Sequence, residues 1–191
     1  MKFFIGLTGP TGAGKSIVSS VAKDFGFTVI DCDLCARNAA NKGKSGLLAL
    51  TKAFGDEILN ADGSLNRTAL AKTAFSSPEK TDLLNKTFLP FVIKEVLEMV
   101  GDSKKILLDA PTLFESGLDS ECNITIAVLA DTQVRLDRII KRDNISKDDA
   151  LLRISAGKSD DFYKKNADYI IYNNDEITSF KDQFAKIINS L

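Results

Sequence analysis

The segment at residues 9–16, which reads GPTGAGKS, carries the strongest chemical signal in the chain. It matches the pattern G-x-x-x-x-G-K-[ST] in full. Glycines let such a loop curl so that successive backbone N–H groups point at an anion, and the positive end of the following helix adds to the attraction. In loops of this kind the lysine reaches the β- and γ-phosphates of a nucleotide, and the hydroxyl ligates Mg²⁺. The pattern therefore predicts a binding site for the phosphates of a nucleoside triphosphate and for Mg²⁺, formed by Gly9, Thr11, Gly12, Ala13, Gly14, Lys15, Ser16 and Ile17.

Two carboxylates follow the second apolar run and are candidates for proton transfer. Asp31 and Asp33 stand two residues apart. On an extended strand both side chains would point to the same side, so either could serve as a general base. The alternative is that they cap the helix that starts near Leu34, since Asp is favoured at helix N-termini. The sequence leaves this choice open.

Three arginines form a second candidate group. Arg135, Arg138 and Arg142 are spaced three and four residues apart in a predicted helix, so they share one helical face. Such a face suits phosphate binding, although a solvated helix balanced by neighbouring aspartates is a common alternative. A kinase needs mobile cationic groups of this kind to cover the reacting phosphate and exclude water.

The phosphate loop alone does not decide between a kinase, a GTPase switch and a motor. A GTPase would be expected to carry a D-x-x-G step and an [NT]-K-x-D motif, and neither occurs in the sequence. A non-catalytic nucleotide switch is the less favoured reading, and a small-molecule kinase is the favoured one.

The elements that position these residues follow from the apolar pattern. Short runs at 2–8, 28–32, 105–109, 124–129 and 168–172 predict buried strands, and residues 18–25 recur at helical spacing, which makes the start of the chain a βαβ unit. Residues 34–100 show helical patterns only, with Pro90 expected to kink or divide the last helix. Residues 132–143 and 177–191 predict further helices.

Composition places the chain among ordinary globular proteins. Its 191 residues carry a formal net charge of -1, which gives no general attraction to nucleic acid or to anionic membranes. The three cysteines form no disulfide framework, and we expect Cys32 and Cys35 to be buried thiols rather than a zinc or redox pair. No run is long enough to span a bilayer or to act as a secretory signal. We therefore expect a cytoplasmic protein with no nucleic-acid or membrane partner.

Five segments together resemble the dephospho-CoA kinase family over almost the full length of the chain. They are GLTGPTGAGKS at 6–16, VIDCDLCAR at 29–37, LLDAPTLFE at 107–115, KRD at 141–143 and ADYIIYNN at 167–174. The first is shared by many families, whereas the second and third are far more distinctive. The resemblance implies transfer of the ATP γ-phosphoryl group to the ribose 3′-hydroxyl of dephospho-CoA, which gives coenzyme A and ADP in the last step of coenzyme A biosynthesis.

The resemblance also implies roles for individual residues. It makes Asp33 the base and Arg142 a lid arginine that covers the phosphates, and it places Asn174 near the adenine of ATP. Asp109 would orient Mg²⁺ through water. The acceptor side would be lined by Asp33, Arg37, Leu113, Phe114 and Glu115, although packing or an ion pair within the fold explains the last four equally well.

Two positions depart from the family pattern. The family usually has His-Pro where this chain has Leu89-Pro90, and a glutamine where it has Gly157. The acceptor contacts of those side chains must be absent or replaced here. A kinase for another small acceptor, such as a nucleoside monophosphate or shikimate, is the alternative within the same class.

The fold class expected from these observations is α/β. A P-loop NTPase-type parallel sheet flanked by helices would form the core at 1–33, 102–130 and 166–191 of a single kinase domain. A helical acceptor-binding insertion would occupy 34–101, and a helical lid 131–165. We expect a monomer or a weak homo-oligomer that takes ATP and dephospho-CoA as small-molecule substrates.

Overall fold

A five-stranded parallel sheet carries the phosphate loop. The computed structural model describes residues 2–174 and 177–190. The strands are β1 (Phe3–Thr8), β2 (Thr28–Asp31), β3 (Lys105–Asp109), β4 (Ile124–Leu129) and β5 (Tyr169–Tyr172), in the order β2-β3-β1-β4-β5. The order reverses at β1, which lies between β3 and β4. In open parallel sheets such a reversal creates a crevice at the carboxyl ends of the strands, where ligands bind.

Helices account for most of the remaining chain. Those of the described residues are α1 (Lys15–Asp24), α2 (Cys32–Ala39), α3 (Ser45–Phe54), α4 (Arg67–Ala74), α5 (Pro78–Val100), α6 (Leu113–Ser116), α7 (Thr132–Asp143), α8 (Lys147–Ser155), α9 (Asp160–Asn166) and α10 (Ile177–Asn189). Short 3₁₀-helices cover Asp56–Ile58 and Leu118–Glu121. None of these described helices is both long enough and apolar enough to pass through a lipid bilayer.

The chain divides into two compact units. The first comprises Met1–Val29, Ser103–Phe114 and Asp119–Leu191, and the second comprises Ile30–Asp102 and Glu115–Leu118. The second unit is largely helical. The single domain with an insertion and a lid remains a prediction of the sequence.

The core of the first unit is built on β1. Ile5 and Leu7 of this strand are fully buried, together with Ile126 and Val128 of β4. The helices α1 and α10 cover the same cluster, since Val18, Val21, Ala22, Phe180, Phe184 and Ile187 belong to it. Strands that are covered in this way read as continuous apolar runs, which is why they were visible in the sequence.

The second unit has its own smaller core. Ala40, Leu50, Phe54, Ile58 and Ala74 are buried there, and Leu70, Leu84 and Phe88 pack against them. This cluster joins helices α2 to α5. It gives the second unit a core that does not draw on the sheet.

Most predicted elements agree with the structure, but the segment after β2 does not. The strand ends at Asp31, one residue before the predicted end, and Cys32 already begins α2. Asp31 and Asp33 are therefore not two residues of one extended strand, and the expected same-side arrangement is wrong. The capping alternative is correct for Asp31, whose carboxylate accepts a hydrogen bond from the backbone N–H of Leu34 (3.0 Å). This bond satisfies an N–H that the first turn of a helix would otherwise leave unpaired.

The structure also tests the predictions made for Pro90 and for the cysteines Cys32 and Cys35. Pro90 does not divide the long helix, because α5 runs from Pro78 to Val100. Pro90 is exposed, and its missing N–H leaves the carbonyl group four residues earlier without its usual backbone partner. Cys32 and Cys35 are both buried thiols, as expected.

Candidate active site

The phosphate loop joins the end of β1 to the start of α1. Three of its glycines adopt positive φ angles, which are 144° at Gly9, 78° at Gly12 and 93° at Gly14. These angles turn the backbone sharply, and residues other than glycine rarely adopt them. Within the described residues, the backbone amides of Thr11, Gly12 and Gly14 have no hydrogen-bond partner. Unpaired amides on a loop that leads into a helix are suited to binding an anion.

The loop lysine lies over this turn. The Nζ of Lys15 donates a hydrogen bond to the carbonyl oxygen of Gly9 (3.0 Å). Lys15 is also the first residue of α1, so its ammonium group and the positive end of the helix dipole belong to the same segment. Both favour a negatively charged ligand at the loop.

Side chains from distant parts of the sequence hold the carbonyl groups of the loop. The Nε of Arg135 donates to the carbonyl of Thr11 (3.0 Å), and the Nδ2 of Asn173 donates to that of Ala13 (2.6 Å). The Nη1 of Arg138 lies 3.5 Å from the carbonyls of both Gly12 and Ala13. We call these three side chains, Arg135, Arg138 and Asn173, the carbonyl clamp. Because they fix the carbonyl groups, the loop does not need a ligand to set its backbone conformation.

Asn173 is the central member of the carbonyl clamp. Its side chain is 0% exposed, and its Oδ1 accepts a hydrogen bond from the Nη2 of Arg138 (3.0 Å). Its backbone N–H donates to the carbonyl of Leu129 (2.7 Å), which anchors it beside β4. A Cβ added at Gly14 would lie 2.0 Å from its Nδ2, so this glycine is required both for its φ angle and for space.

The residue that the sequence predicts near the adenine is Asn174, the neighbour of Asn173. Asn174 is exposed, and its Oδ1 accepts a hydrogen bond from the backbone N–H of Asp131 (2.8 Å). Its position near the adenine remains a prediction. The doublet of asparagines directly after an apolar strand was the signal that could have identified Asn173, since polar residues at that end of a parallel strand reach the ligand crevice.

The three arginines of α7 have different surroundings. Arg135 is 4% exposed and forms an ion pair with Asp160 (3.2 Å) in addition to its bond to the loop. Arg138 is half-buried at the loop. Arg142 is exposed and forms a two-pronged ion pair with Asp143, through Nε (2.7 Å) and Nη2 (2.8 Å).

The ion pair shifts the pKa values of both partners. The hydrogen bond from Arg142, followed by the nearby charges of Arg142 and Arg153, lowers the pKa of Asp143. The hydrogen bond to Asp143 raises the pKa of Arg142. Arg153 of α8 also contacts Asp143. The structure thus brings Arg135 and Arg138 to the phosphate loop and pairs Arg142 with a carboxylate, and a catalytic role for Arg142 stays a prediction.

The predicted magnesium ligands lie on α1 and β3. Ser16 is exposed in the first turn of α1, and its hydroxyl has no partner among the described residues. Asp109 ends β3 opposite Leu7 of β1, and its Oδ2 accepts a hydrogen bond from the hydroxyl of Ser19 (2.8 Å). No group of three or more metal-binding side chains occurs in the part of the chain that the structure describes. This donor set fits Mg²⁺, which is commonly held by one or two protein oxygens, substrate phosphates and water.

The segment after β3 is partly structural. Leu113 is 0% exposed, and a Cβ at Gly6 would lie 2.7 Å from its Cδ2. Its side chain therefore presents no surface to a ligand in this structure, in agreement with the packing alternative. Phe114 is half-buried and meets Phe162 edge to face, with ring centroids 5.9 Å apart.

The remaining predicted acceptor residues belong to the second unit. Asp33 and Arg37 are exposed and lie one turn apart on α2, and both line a cavity of about 310 Å³. The Oε2 of Glu115 is buried and has no hydrogen-bond partner among the described residues, while its backbone carbonyl accepts a bond from Asn85 (2.6 Å). A buried carboxylate oxygen without a partner is costly, which makes Glu115 a candidate for contact with a ligand.

The family model described as dephospho-CoA kinase matches residues 3–179. The chain belongs to the dephospho-CoA kinase family. This membership confirms the family inferred from the five sequence segments, and with it a kinase rather than a nucleotide-dependent switch.

Individual relatives agree with the membership. The chain is 37% identical over 179 residues to a dephospho-CoA kinase of Pseudoalteromonas translucida, which covers 93% of this chain and 85% of the relative. It is 37% identical over 189 residues to a dephospho-CoA kinase of Listeria monocytogenes, which covers 96% and 94%. The solved structure of a dephospho-CoA kinase from Campylobacter jejuni is similar in fold, with a TM-score of 0.61 and 24% identity over 100% of this chain and 97% of that one.

Proposed function

We propose that this protein transfers the γ-phosphoryl group of ATP to the ribose 3′-hydroxyl of dephospho-CoA, giving coenzyme A and ADP as the last step of coenzyme A biosynthesis. The observation that carries the proposal is the phosphate loop with its unpaired amides, in a chain whose family membership covers residues 3–179. We further propose that it works in the cytoplasm as a monomer or weak homo-oligomer.

The phosphate loop is proposed to bind the phosphates of ATP. Its free amides at Thr11, Gly12 and Gly14 and the ammonium group of Lys15 are the groups that favour an anion there. The carbonyl clamp supports this role because it fixes the loop before ATP arrives, so little of the binding free energy is lost in ordering it. Asn174 is proposed to lie near the adenine.

Mg²⁺ is proposed to be held by the exposed hydroxyl of Ser16, with Asp109 acting through water. A bound Mg²⁺ would neutralise part of the charge on the reacting phosphates. The bond from Ser19 fixes one oxygen of Asp109 and so orients its carboxylate.

Asp33 is proposed to take the proton of the acceptor. In the transfer, the 3′-oxygen forms a bond to the γ-phosphorus, the bond between that phosphorus and the β,γ-bridging oxygen breaks, and ADP leaves. The proton of the 3′-hydroxyl passes to the carboxylate of Asp33. Asp33 lines the cavity of the second unit, whereas Asp31 is not among its lining residues and caps α2 by accepting the bond from Leu34.

Arg142 is proposed to cover the reacting phosphates after exchanging partners. Its guanidinium is exposed, so an ATP phosphate can reach it. Arginine binds carboxylate and phosphate with the same fork of N–H donors, and a phosphate could therefore take the place of Asp143. Arg153, which also contacts Asp143, would then remain as the partner of that carboxylate.

The direct test is to incubate the purified protein with Mg·ATP and dephospho-CoA and to measure the product by mass. A product heavier than dephospho-CoA by one phosphoryl group, with the phosphate on the 3′-oxygen by NMR, is the expected result. Nucleoside monophosphates and shikimate serve as alternative acceptors. Faster turnover of one of these than of dephospho-CoA would contradict the proposal.

The role of Asp33 is tested by Asp33→Asn. We expect turnover to fall by ~10² to 10⁴-fold, the usual contribution of a general base, with the dissociation constant of Mg·ATP changed by less than about twofold. Asp31→Asn is the matched control, because it keeps an oxygen that can cap α2. An Asp33→Asn enzyme with normal turnover, or an Asp31→Asn enzyme with the larger loss, would remove Asp33 from the role.

A further inference from the structure

The second unit contains a cavity whose walls combine apolar and cationic side chains. Its volume is about 310 Å³, within the range of small-molecule sites. The apolar lining residues are Ala36, Ala40, Leu50, Leu65, Leu70, Ala71, Phe75, Leu84 and Phe88. The charged ones are Asp33, Arg37 and Arg67. A pocket of this kind suits a ligand that has both an apolar or planar part and a negative charge.

The two arginines of this cavity lack partners. Within residues 2–174 and 177–190, neither Arg37 nor Arg67 forms a hydrogen bond or an ion pair. Arginine is always charged, and two guanidinium groups on one cavity repel each other. An anion between them would remove that repulsion and accept several of their N–H groups, in the geometry by which arginine binds phosphate.

The backbone that carries Arg67 is well fixed, although its side chain is not. Arg67 is the first residue of α4, and the Oδ1 of Asn66 caps this helix by accepting a bond from the N–H of Ala69 (3.0 Å). The N–H of Asn66 donates to the carbonyl of Ile58 (2.8 Å). A fixed backbone that carries an unpaired guanidinium group is the arrangement expected of a ligand-binding residue.

The acceptor carries the kinds of group that the charged residues of the cavity could contact. Asp33 and Arg37 lie one turn apart on α2, so they share a helical face. In dephospho-CoA the reacting 3′-hydroxyl and the 5′-diphosphate belong to the same ribose. A ribose with its 3′-hydroxyl at Asp33 would carry its diphosphate toward a cationic group nearby in the same cavity.

We infer that Arg67, together with Arg37, binds the diphosphate of the acceptor, while the apolar wall around Phe75 and Phe88 contacts an apolar or planar part of the same molecule. This inference rests on the proposed function and assigns Arg67, on a different helix from Arg37, to acceptor specificity. It makes the diphosphate, rather than the adenosine alone, the feature by which the protein selects its acceptor.

Steady-state kinetics of Arg67→Met and Arg67→Lys test the inference. We expect Arg67→Met to raise the KM for dephospho-CoA by roughly 10- to 100-fold, because a charge-assisted bond to phosphate is lost, and to leave the KM for ATP within about twofold. Arg67→Lys keeps the charge without the fork of donors and should lie between. Lys72→Met is the matched control, since Lys72 is exposed on the same helix and does not line the cavity.

Adenosine separates a phosphate contact from a general effect on the cavity. Used as a competitive inhibitor against dephospho-CoA, it should have the same inhibition constant in the wild type and in Arg67→Met, because it has no diphosphate. Equal weakening of adenosine and dephospho-CoA, or an unchanged KM for dephospho-CoA in Arg67→Met, would overturn the inference.

The failure of this inference can be told apart from the failure of the proposed function. If the wild type does not phosphorylate dephospho-CoA, the proposed function is wrong. Calorimetric titration of dephospho-CoA into the wild type and Arg67→Met then still decides the inference. Equal affinity of the two proteins, or no binding by the wild type, rejects it, and weaker binding by the variant supports it.

Discussion

The phosphate loop of the first unit and the cavity of the second unit treat their arginines in opposite ways. Arg135 and Arg138 are hydrogen-bonded to the loop backbone, and Arg135 is almost fully buried. Arg37 and Arg67 are exposed and have no partner among the residues described. Arg135 and Arg138 donate hydrogen bonds to other groups of the protein, whereas the N–H donors of Arg37 and Arg67 are available to a ligand. Arginine thus stabilises the conformation of the phosphate loop in the first unit, whereas in the cavity of the second unit it is available to bind a ligand.

This difference has a consequence for substitutions. A change in the carbonyl clamp leaves buried polar groups without partners, so it should lower the free energy of unfolding as well as the affinity for ATP. A change of Arg67 leaves no buried group unpaired, so it should lower affinity alone. Substitutions in the phosphate loop and substitutions of Arg67 should therefore differ in their effect on stability.

Gly14→Ala should have the largest effect. Its Cβ would lie 2.0 Å from the Nδ2 of buried Asn173, and the residue would have to keep a φ of 93°. Left-handed backbone costs an alanine ~1–2 kcal/mol and overpacking a further ~1–3 kcal/mol, so we expect a loss of about 2–5 kcal/mol in the free energy of unfolding. Urea unfolding measures this loss, and calorimetry with Mg·ATP should show that binding is lost or greatly weakened.

Gly26→Ala is the matched control for the backbone cost. Gly26 has a φ of 79°, and a Cβ there would meet nothing within 4 Å. It should lose only the ~1–2 kcal/mol of the left-handed backbone and should bind ATP normally. Equal losses in the two variants would show that contact with Asn173 does not restrict residue 14.

Asn173→Ala should have a smaller effect. It removes the donor to Ala13 and the acceptor of Arg138, so it should cost ~1–3 kcal/mol of stability and weaken ATP binding. Asn166→Ala removes an exposed side-chain bond to Phe162 and should change stability by less than ~1 kcal/mol. The two variants are compared by urea unfolding and by titration with Mg·ATP.

A double variant shows whether the clamp and the glycine act as one unit. In Gly14→Ala/Asn173→Ala the steric clash is relieved, so the combined loss of stability should be smaller than the sum of the single losses. Strict additivity of the two changes would contradict a direct contact between residues 14 and 173.

The sequence predicted best what depends on local pattern. The loop at 9–16 is defined by residue types at fixed spacing, and the buried strands show as continuous apolar runs, so both were found with bounds within a residue or two. The start of α2 was misplaced, because the same short stretch fits both a strand end and a helix cap. In the structure the stretch is helical, and the carboxylate of Asp31 caps the helix by accepting a hydrogen bond from the N–H of Leu34.

The carbonyl clamp could not be derived from local pattern. Asn173 and Ala13 are 160 positions apart, and their hydrogen bond depends on β1 and β5 lying on the two sides of β4. The basic face of α7 was visible from its spacing, but the spacing did not reveal that Arg135 and Arg138 meet the loop while Arg142 pairs with Asp143. Long-range partners of this kind are set by the topology of the sheet.

The smallest expected effect concerns the thiols, which report on the two regions separately. Burial raises the pKa of Cys122, in the first unit, to about 12 and that of Cys35, in the second, to about 11, and nearby carboxylates add to both shifts. A raised thiol pKa keeps the neutral form in the folded protein, so this contribution to stability is present below the ordinary thiol pKa and is lost as the pH rises through about 11 to 12.

Because only the thiolate reacts, both cysteines should react with iodoacetamide at pH 8 at least ~100-fold more slowly than a free thiol with a pKa of ~8.5. Peptide mass spectrometry after labelling from pH 8 to 10.5 measures each site, and Cys35 should gain reactivity before Cys122. Labelling of either cysteine at the free-thiol rate at pH 8 would show that the region around it opens far more often than its burial implies.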